Sequence, residues 1–132
     1  MPTLNVRLSP PASPDRQARL AQALTALTAR VLGKRAEVTA VLIVPLPAGA
    51  WFIGGAPTAQ PTVLLEIDIT QGTNTADEKA AFVEAAFREL QGQLAPGGSL
   101  APASYVIVRE VPATDWGYGG VTQYARQQAR QI

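Results

Sequence analysis

The sequence repeats its own plan once, at an interval of about 60 residues. Each copy begins with Pro-Thr and a short strand-like segment, continues with a helix-like segment and a second strand-like segment, and ends in Trp-x-x-Gly-Gly. The two endings are Trp51–Gly55 and Trp116–Gly120. A repeat of this length is typical of a duplicated supersecondary unit. The chain is therefore restricted to folds in which two similar units pack together.

The first copy has the pattern of a strand, a helix and a strand. Its opening strand is predicted from apolar residues that alternate with polar ones, namely Leu4, Val6 and Leu8. The helix is predicted to begin after Ser13, because Ser-Pro-Asp supplies a capping hydroxyl, a proline at the first helical position and a carboxylate at the positive end of the dipole. Gly33 is the expected C-terminal cap. The apolar run over residues 38–44 predicts a strand buried on both faces.

The second copy follows the same plan. Residues 61–69 and 105–111 are predicted strands, and Thr75-Ala-Asp-Glu78 is a capping box that starts the helix between them. The expected buried face of this helix consists of Val83, Phe87, Leu90 and Leu94. The polar segment 121–132 is expected either to form a short helix or to fray.

Two β-α-β units predict an α+β fold with a four-stranded mixed sheet and both helices on one face. Residues 1–132 are expected to form a single domain, with repeats over about residues 2–55 and 61–120 followed by a C-terminal tail. The other face of the sheet has no cover in this plan. Because only 16% of the residues are charged, that face is expected to pack against other subunits.

Composition excludes several kinds of site. The chain has no cysteine and no histidine, so disulfides, thiolate chemistry and Ser-His or Cys-His pairs are excluded. A formal net charge of +1 gives no reason to expect nucleic acid or an anionic membrane as a partner. The most apolar run is broken by Pro45, Pro47 and Gly49, which makes it a poor membrane span. A cytoplasmic protein is expected.

Pro2 is the main candidate for chemistry. Initiator methionine is generally removed when proline follows, and removal of Met1 would leave Pro2 with a free secondary amine. An α-amino group titrates at roughly 7.7–8.0, and burial or a nearby cation lowers that pKa. In a chain without histidine, an amino-terminal Pro2 is therefore predicted to be a general base. Pro61 also opens a unit, but its nitrogen is an amide without basicity.

These features together resemble the tautomerase superfamily, which includes 4-oxalocrotonate tautomerase (4-OT), the haloacrylate dehalogenases and macrophage migration inhibitory factor. The resemblance rests on Pro2 at the start of a β-α-β unit, on the Trp51–Gly55 ending, and on their repetition through Gly120. It covers about residues 2–120, and its details favour the longer, fused members. It implies a homotrimer of two-unit chains and an amino-terminal proline that acts as acid and base on enols and 2-oxo acids.

The resemblance also assigns roles to individual residues. Pro2 matches the catalytic proline. Lys34 matches a pocket lysine of the migration inhibitory factor branch, and Tyr105 matches a tyrosine that a neighbouring subunit contributes there. The two arginines of the 4-OT branch correspond to Ala12 and Ala40 in this chain. A small monocarboxylate is therefore expected as substrate in preference to a dicarboxylate.

Further candidates follow from the residues themselves. Arg109 is a second possible carboxylate binder, and Trp51 and Phe52 are expected to form an apolar wall that desolvates the Pro2 amine.

The predicted function is a keto–enol tautomerase that acts on a small 2-oxo carboxylate without a metal or an organic cofactor. Two alternatives stay open: a non-catalytic oligomeric binding protein on the same scaffold, and a hydratase or dehalogenase. The dehalogenase branch has an arginine where residues 70–75 contain none.

Overall fold

The computed structural model describes residues 1–130 as a four-stranded sheet with two long helices packed on one of its faces. The strand order is β2-β1-β5-β6. Neighbours β1 and β2 are parallel, as are β5 and β6, and the central pair β1 and β5 is antiparallel. The predicted fold class is confirmed. In chain order the elements are β1 (Thr3–Ser9), α1 (Pro14–Leu32), a 3-10 turn (Ala36–Val38), β2 (Ala40–Pro45), β3 (Phe52–Ile53), β4 (Ala56–Pro57), β5 (Thr62–Thr70), α2 (Ala76–Leu94), β6 (Tyr105–Val111), β7 (Gly117–Tyr118), β8 (Val121–Thr122) and α3 (Gln123–Arg130).

The predicted helix ends are confirmed. The Ser13 side chain accepts a hydrogen bond from the backbone N–H of Arg16, and α1 ends at Gly33 with a φ of 69°, a left-handed conformation that glycine adopts without strain. Thr75 and Glu78 form both hydrogen bonds of the capping box at the start of α2. The polar tail forms the helix α3 as far as residue 130. Within residues 1–130, no helix combines the length and apolarity needed to cross a lipid bilayer.

The two units are related by an approximate two-fold axis between β1 and β5. Thr3 pairs with Asp68, and Ser9 pairs with Thr62 at the other end of the same ladder. The carbonyl of Pro2 accepts a hydrogen bond from the N–H of Ala40 at the start of β2, and the carbonyl of Pro61 accepts one from the N–H of Ala101 in the segment that leads into β6. The two prolines therefore occupy equivalent positions at opposite ends of the sheet.

The core lies between the helices and one face of the sheet. The apolar residues predicted for β1 are all buried there, opposite the inward residues Val63, Leu65 and Ile67 of β5. On the other face Leu42 is 58% exposed and Tyr105 is 61% exposed. The prediction that the second strand is buried on both faces is wrong for the single chain, because the helices cover only one face of the sheet and Leu42 of β2 lies on the other.

A network of ion pairs crosses the uncovered face. Glu66, with only 12% of its side chain exposed, contacts Arg7 at 3.2 Å and also contacts Arg109. The Nε of Arg109 lies 3.6 Å from a carboxylate oxygen of Asp68. The charge of Arg109 is therefore balanced by two carboxylates of its own chain.

The buried face of α2 differs by one position from the predicted one. Phe82 and Ala86 are fully buried together with Leu90, whereas Val83 is 37% exposed and Phe87 is half-buried. Either stripe fits a helical period, so the spacing does not tell which one faces the sheet. The crossing of α2 over the sheet and against α1 selects Phe82.

Replacing Phe82 with alanine should lower the free energy of unfolding by about 3–5 kcal/mol, because a fully buried ring is lost and a cavity remains. Val83→Ala is the matched control and should cost less than about 1 kcal/mol, since that side chain is partly in water. Urea unfolding at one fixed protein concentration measures both values. Equal losses would show that Val83 is as buried as Phe82.

Candidate active site

The chain start lies in a partly water-excluded position at one end of the sheet. Pro2 is buried and Met1 is half-buried. The N–H of Ala40 donates a hydrogen bond of 3.2 Å to the Pro2 carbonyl, which fixes this segment against the start of β2. An amine placed at position 2 is therefore held in one place and poorly solvated, which favours its neutral form.

The positive charges around the terminal amine also favour its neutral form. The pKa of the terminal amine, carried here by Met1, is lowered from its ordinary value of 8.0 chiefly by burial. The positive charge of Lys34 is the next cause, and Arg130 and Arg35 contribute less. Both effects penalise the protonated amine, so a base at this position is neutral over more of the physiological pH range.

Lys34 is positioned by a short chain of hydrogen bonds. It follows the C-terminus of α1, and its Nζ donates to Oγ1 of Thr73 at 2.8 Å. The Thr73 hydroxyl in turn donates to the carbonyl of Thr70 at 2.6 Å. Burial lowers the pKa of Lys34 from its ordinary value of 10.5, and the charges of Glu78 and Glu110 partly oppose that shift.

Thr73 was not found from the sequence. It is separated from Lys34 by 39 residues, and a threonine in a turn carries no signal of such a contact. Its loop is also held in place by Asn74, whose side-chain amide donates to the Leu32 carbonyl at 2.9 Å. The turn between β5 and α2 thus belongs to the site together with the end of α1.

The two other polar candidates are placed differently. Arg109 belongs to the strand that pairs with Asp68, and Asp68 pairs with Thr3 next to Pro2. The guanidinium of Arg109, however, contacts the carboxylate of Glu66 and lies near that of Asp68. Tyr105 begins β6 at the other end of the sheet and is 61% exposed, so it does not reach the Pro2 of its own chain.

Trp51 and Phe52 also lie away from the Pro2 of the same chain. They follow the C-terminal end of β2, where the N–H of Leu46 donates to the Leu8 carbonyl at 2.8 Å. That end is five strand residues from the start of β1, or roughly 17 Å. Phe52 is 60% exposed on the β3–β4 hairpin. The apolar wall predicted beside Pro2 is therefore not formed within one chain, and it stays a prediction about neighbouring chains.

The second hairpin follows the strand end that lies near Pro2. Strand β6 finishes at Val111, whose carbonyl accepts from Gln71 just after β5. Beyond it, β7 and β8 present Tyr118, and the guanidinium of Arg126 stacks 3.8 Å from the centre of that ring. The same guanidinium donates to the Tyr118 carbonyl at 2.8 Å, so α3 is attached to this hairpin.

Comparison with known proteins places this geometry in a family. Residues 2–60 match the family model of tautomerase enzymes. Two wild-type fused 4-OT proteins, each solved as an asymmetric trimer, are 30% and 31% identical to this chain, with TM-scores of 0.81 and 0.82. The matches cover 94% and 95% of this chain and 98% of each of theirs.

A more distant likeness concerns the fold alone. A macrophage migration inhibitory factor-like protein from Entamoeba histolytica is 17% identical, with a TM-score of 0.73 over 92% of this chain and 97% of that chain. No curated protein sequence matches this one significantly.

Proposed function

This chain belongs to the tautomerase superfamily, and we propose that it moves a proton between the enol and keto forms of a small 2-oxo carboxylate. Pro2, exposed as the terminal residue once Met1 is removed, is the acid and base. The observation that carries this proposal is the environment of the chain start. Burial and Lys34 both lower the pKa of the amine there, and Pro2 is more buried than Met1.

The proposed reaction needs one neutral amine and one cation. The Pro2 nitrogen takes the proton from the enol hydroxyl, which leaves an enolate, and the resulting ammonium returns that proton to the carbon. Lys34, held by Thr73, binds the substrate carboxylate as a point charge and offsets the charge of the enolate. Nothing in this sequence of steps requires a metal or an organic cofactor.

The preference for a monocarboxylate follows from the cations at the site. Among the cations near the chain start, Lys34 lowers the pKa of the terminal amine most, and its ammonium donates to the neutral hydroxyl of Thr73. Arg109 is nearby along the sheet, but Glu66 and Asp68 balance its charge. One dominant cation suits one carboxylate group, so we propose phenylenolpyruvate as a better substrate than a dicarboxylate dienol.

We further propose that the chain acts as a homotrimer in which neighbouring chains complete the site. Leu42 and Tyr105 on the uncovered sheet face, and Phe52 on the β3–β4 hairpin, are each more than half exposed in the single chain, and burial of such apolar side chains favours association. Tyr105, Trp51 and Phe52 reach a Pro2 only by belonging to another chain. Two fused 4-OT proteins, 30% and 31% identical to this chain, were solved as trimers.

The assembly proposal predicts three times the chain mass in light scattering at micromolar concentration. Leu42→Glu should shift the protein toward the monomer, because it places a charge on the uncovered sheet face. Ala81→Glu, a change at an exposed position of α2, is the control and should remain trimeric. A stable wild-type monomer, or a trimeric Leu42→Glu variant, would contradict the proposal.

The function itself is tested on the untagged protein. Mass spectrometry should show a chain that begins at Pro2, and ultraviolet absorbance should show catalysed ketonisation of phenylenolpyruvate. The value of kcat/KM should be higher for this substrate than for a dicarboxylate dienol. A chain that keeps Met1 has an acylated Pro2 without basicity, and this result would favour the non-catalytic binding protein.

A further inference from the structure

A cavity lies at the end of the sheet opposite Pro2. It has a volume of about 270 Å³ and is bounded by the turn between β1 and α1, by Pro61 and by the end of α2. Its walls are largely proline and leucine, and its polar side chains include those of Ser13, Arg16 and Gln93. Ligand pockets are typically about 300–1,000 Å³, so this cavity fits only a small molecule.

The internal symmetry makes this cavity the counterpart of the Pro2 site. Helices α1 and α2 have 19 residues each, and the capping pair Ser13–Arg16 corresponds to Thr75–Glu78. Pro61 stands where the other unit has Pro2. The base is missing here because the nitrogen of Pro61 is part of a peptide bond. A cation is present in this cavity as well, but at a different place. It is Arg16 in the first turn of α1, whereas the cation near Pro2 is Lys34, which follows the end of α1.

Arg16 carries a positive charge into this cavity without a carboxylate partner. Its guanidinium donates to the backbone carbonyl of Gln93, and within residues 1–130 it forms no ion pair. The side-chain amide of Gln93, by contrast, donates to a carboxylate oxygen of Glu89 at 3.2 Å. The cavity therefore has a half-buried cation that is free to pair with an anion.

Gln93, which lines the same cavity as Arg16, supplies a hydrogen-bond acceptor. Its Nε2 is occupied by Glu89, and its buried Oε1 has no hydrogen-bond partner among the described residues. A buried acceptor without a donor is costly and is normally satisfied by water or a ligand. An acceptor next to an unpaired arginine matches a molecule that has both a carboxylate and a hydroxyl group.

From these observations we infer that the Pro61 cavity is a non-catalytic binding site for a small hydroxy- or enol-carboxylate. The carboxylate pairs with Arg16, the hydroxyl donates to Oε1 of Gln93, and the apolar body of the ligand contacts the proline-rich wall. No proton transfer occurs there, because no basic nitrogen is present. This site is independent of the chemistry proposed for Pro2.

The test uses ¹⁵N-labelled full-length protein titrated with 3-phenyllactate, a stable carboxylate with one hydroxyl group. Backbone signals of Ser9, Arg16 and Gln93 should shift on binding. The matched probe 3-phenylpropanoate lacks the hydroxyl and should bind this cavity several-fold more weakly. Arg16→Gln should weaken phenyllactate binding by about ten- to hundredfold, the usual range for a charged hydrogen bond. Arg19→Gln, a change at an exposed position of the same helix, should bind like the wild type.

Several outcomes would overturn the inference. Shifts confined to residues around Pro2 and Lys34 would show that the cavity is empty. Equal binding of the two probes by the wild-type protein would remove the role of Gln93 without depending on any variant. Arg16→Gln should also keep the wild-type rate of phenylenolpyruvate ketonisation, so a failure of this site and a failure of the proposed function give different results.

Discussion

Replacing Pro2 with alanine is expected to lower kcat/KM for phenylenolpyruvate ketonisation by about ten- to ten-thousandfold, the usual contribution of a positioned acid or base. The variant keeps a terminal amine, but it is a primary amine, and without the ring its position at the start of β1 is less restricted. Initial rates followed by ultraviolet absorbance measure the effect. Mass spectrometry of both proteins must first show that Met1 is absent.

The control for this prediction is Pro14→Ala, which removes an exposed proline at the first position of α1. It is the same substitution at a peptide-bonded proline away from the chain start, and it should leave the rate within about twofold of the wild type. If Pro2→Ala is as active as Pro14→Ala, the terminal amine is not the base. The protein would then be a binding or structural member of its superfamily.

Replacing Lys34 with alanine is expected to have the next largest effect, a rise in KM of about ten- to hundredfold from the loss of a charged hydrogen bond to the carboxylate. The pH profile should also change. Lys34 lowers the pKa of the terminal amine, so its removal raises that pKa. Because the amine accepts a proton only when it is neutral, the acidic limb of kcat/KM should move to higher pH.

Arg35→Ala is the matched control for Lys34. Arg35 also lowers the amine pKa, but it is a smaller cause than Lys34, and its side chain is 65% exposed and paired with Glu37. Solvent screening should leave both KM and the pH profile close to those of the wild type. An acidic limb that stays in place in Lys34→Ala, or that moves to lower pH, would show that Lys34 does not act on the base.

The sequence by itself determined the features that depend on near neighbours. The capping groups of Ser13 and Thr75 set the helix starts, and the alternation in β1 set which residues face the core, because these effects act within a few residues. The repeat determined the α+β class and the equivalence of Pro2 and Pro61. The absence of histidine left the terminal amine as the candidate base, and in the structure burial and the charge of Lys34 lower the pKa of that amine.

The tertiary structure alone decided features that depend on contacts between distant segments. Strand order made β2 an edge, helix crossing buried Phe82 instead of Val83, and pairing of β5 with β6 placed Arg109 against Glu66 and Asp68. It also brought Thr73 to Lys34 across 39 residues. Periodicity shows that a segment has a face, but it does not show which segment covers that face. That choice depends on the packing of the whole chain, which no local spacing encodes.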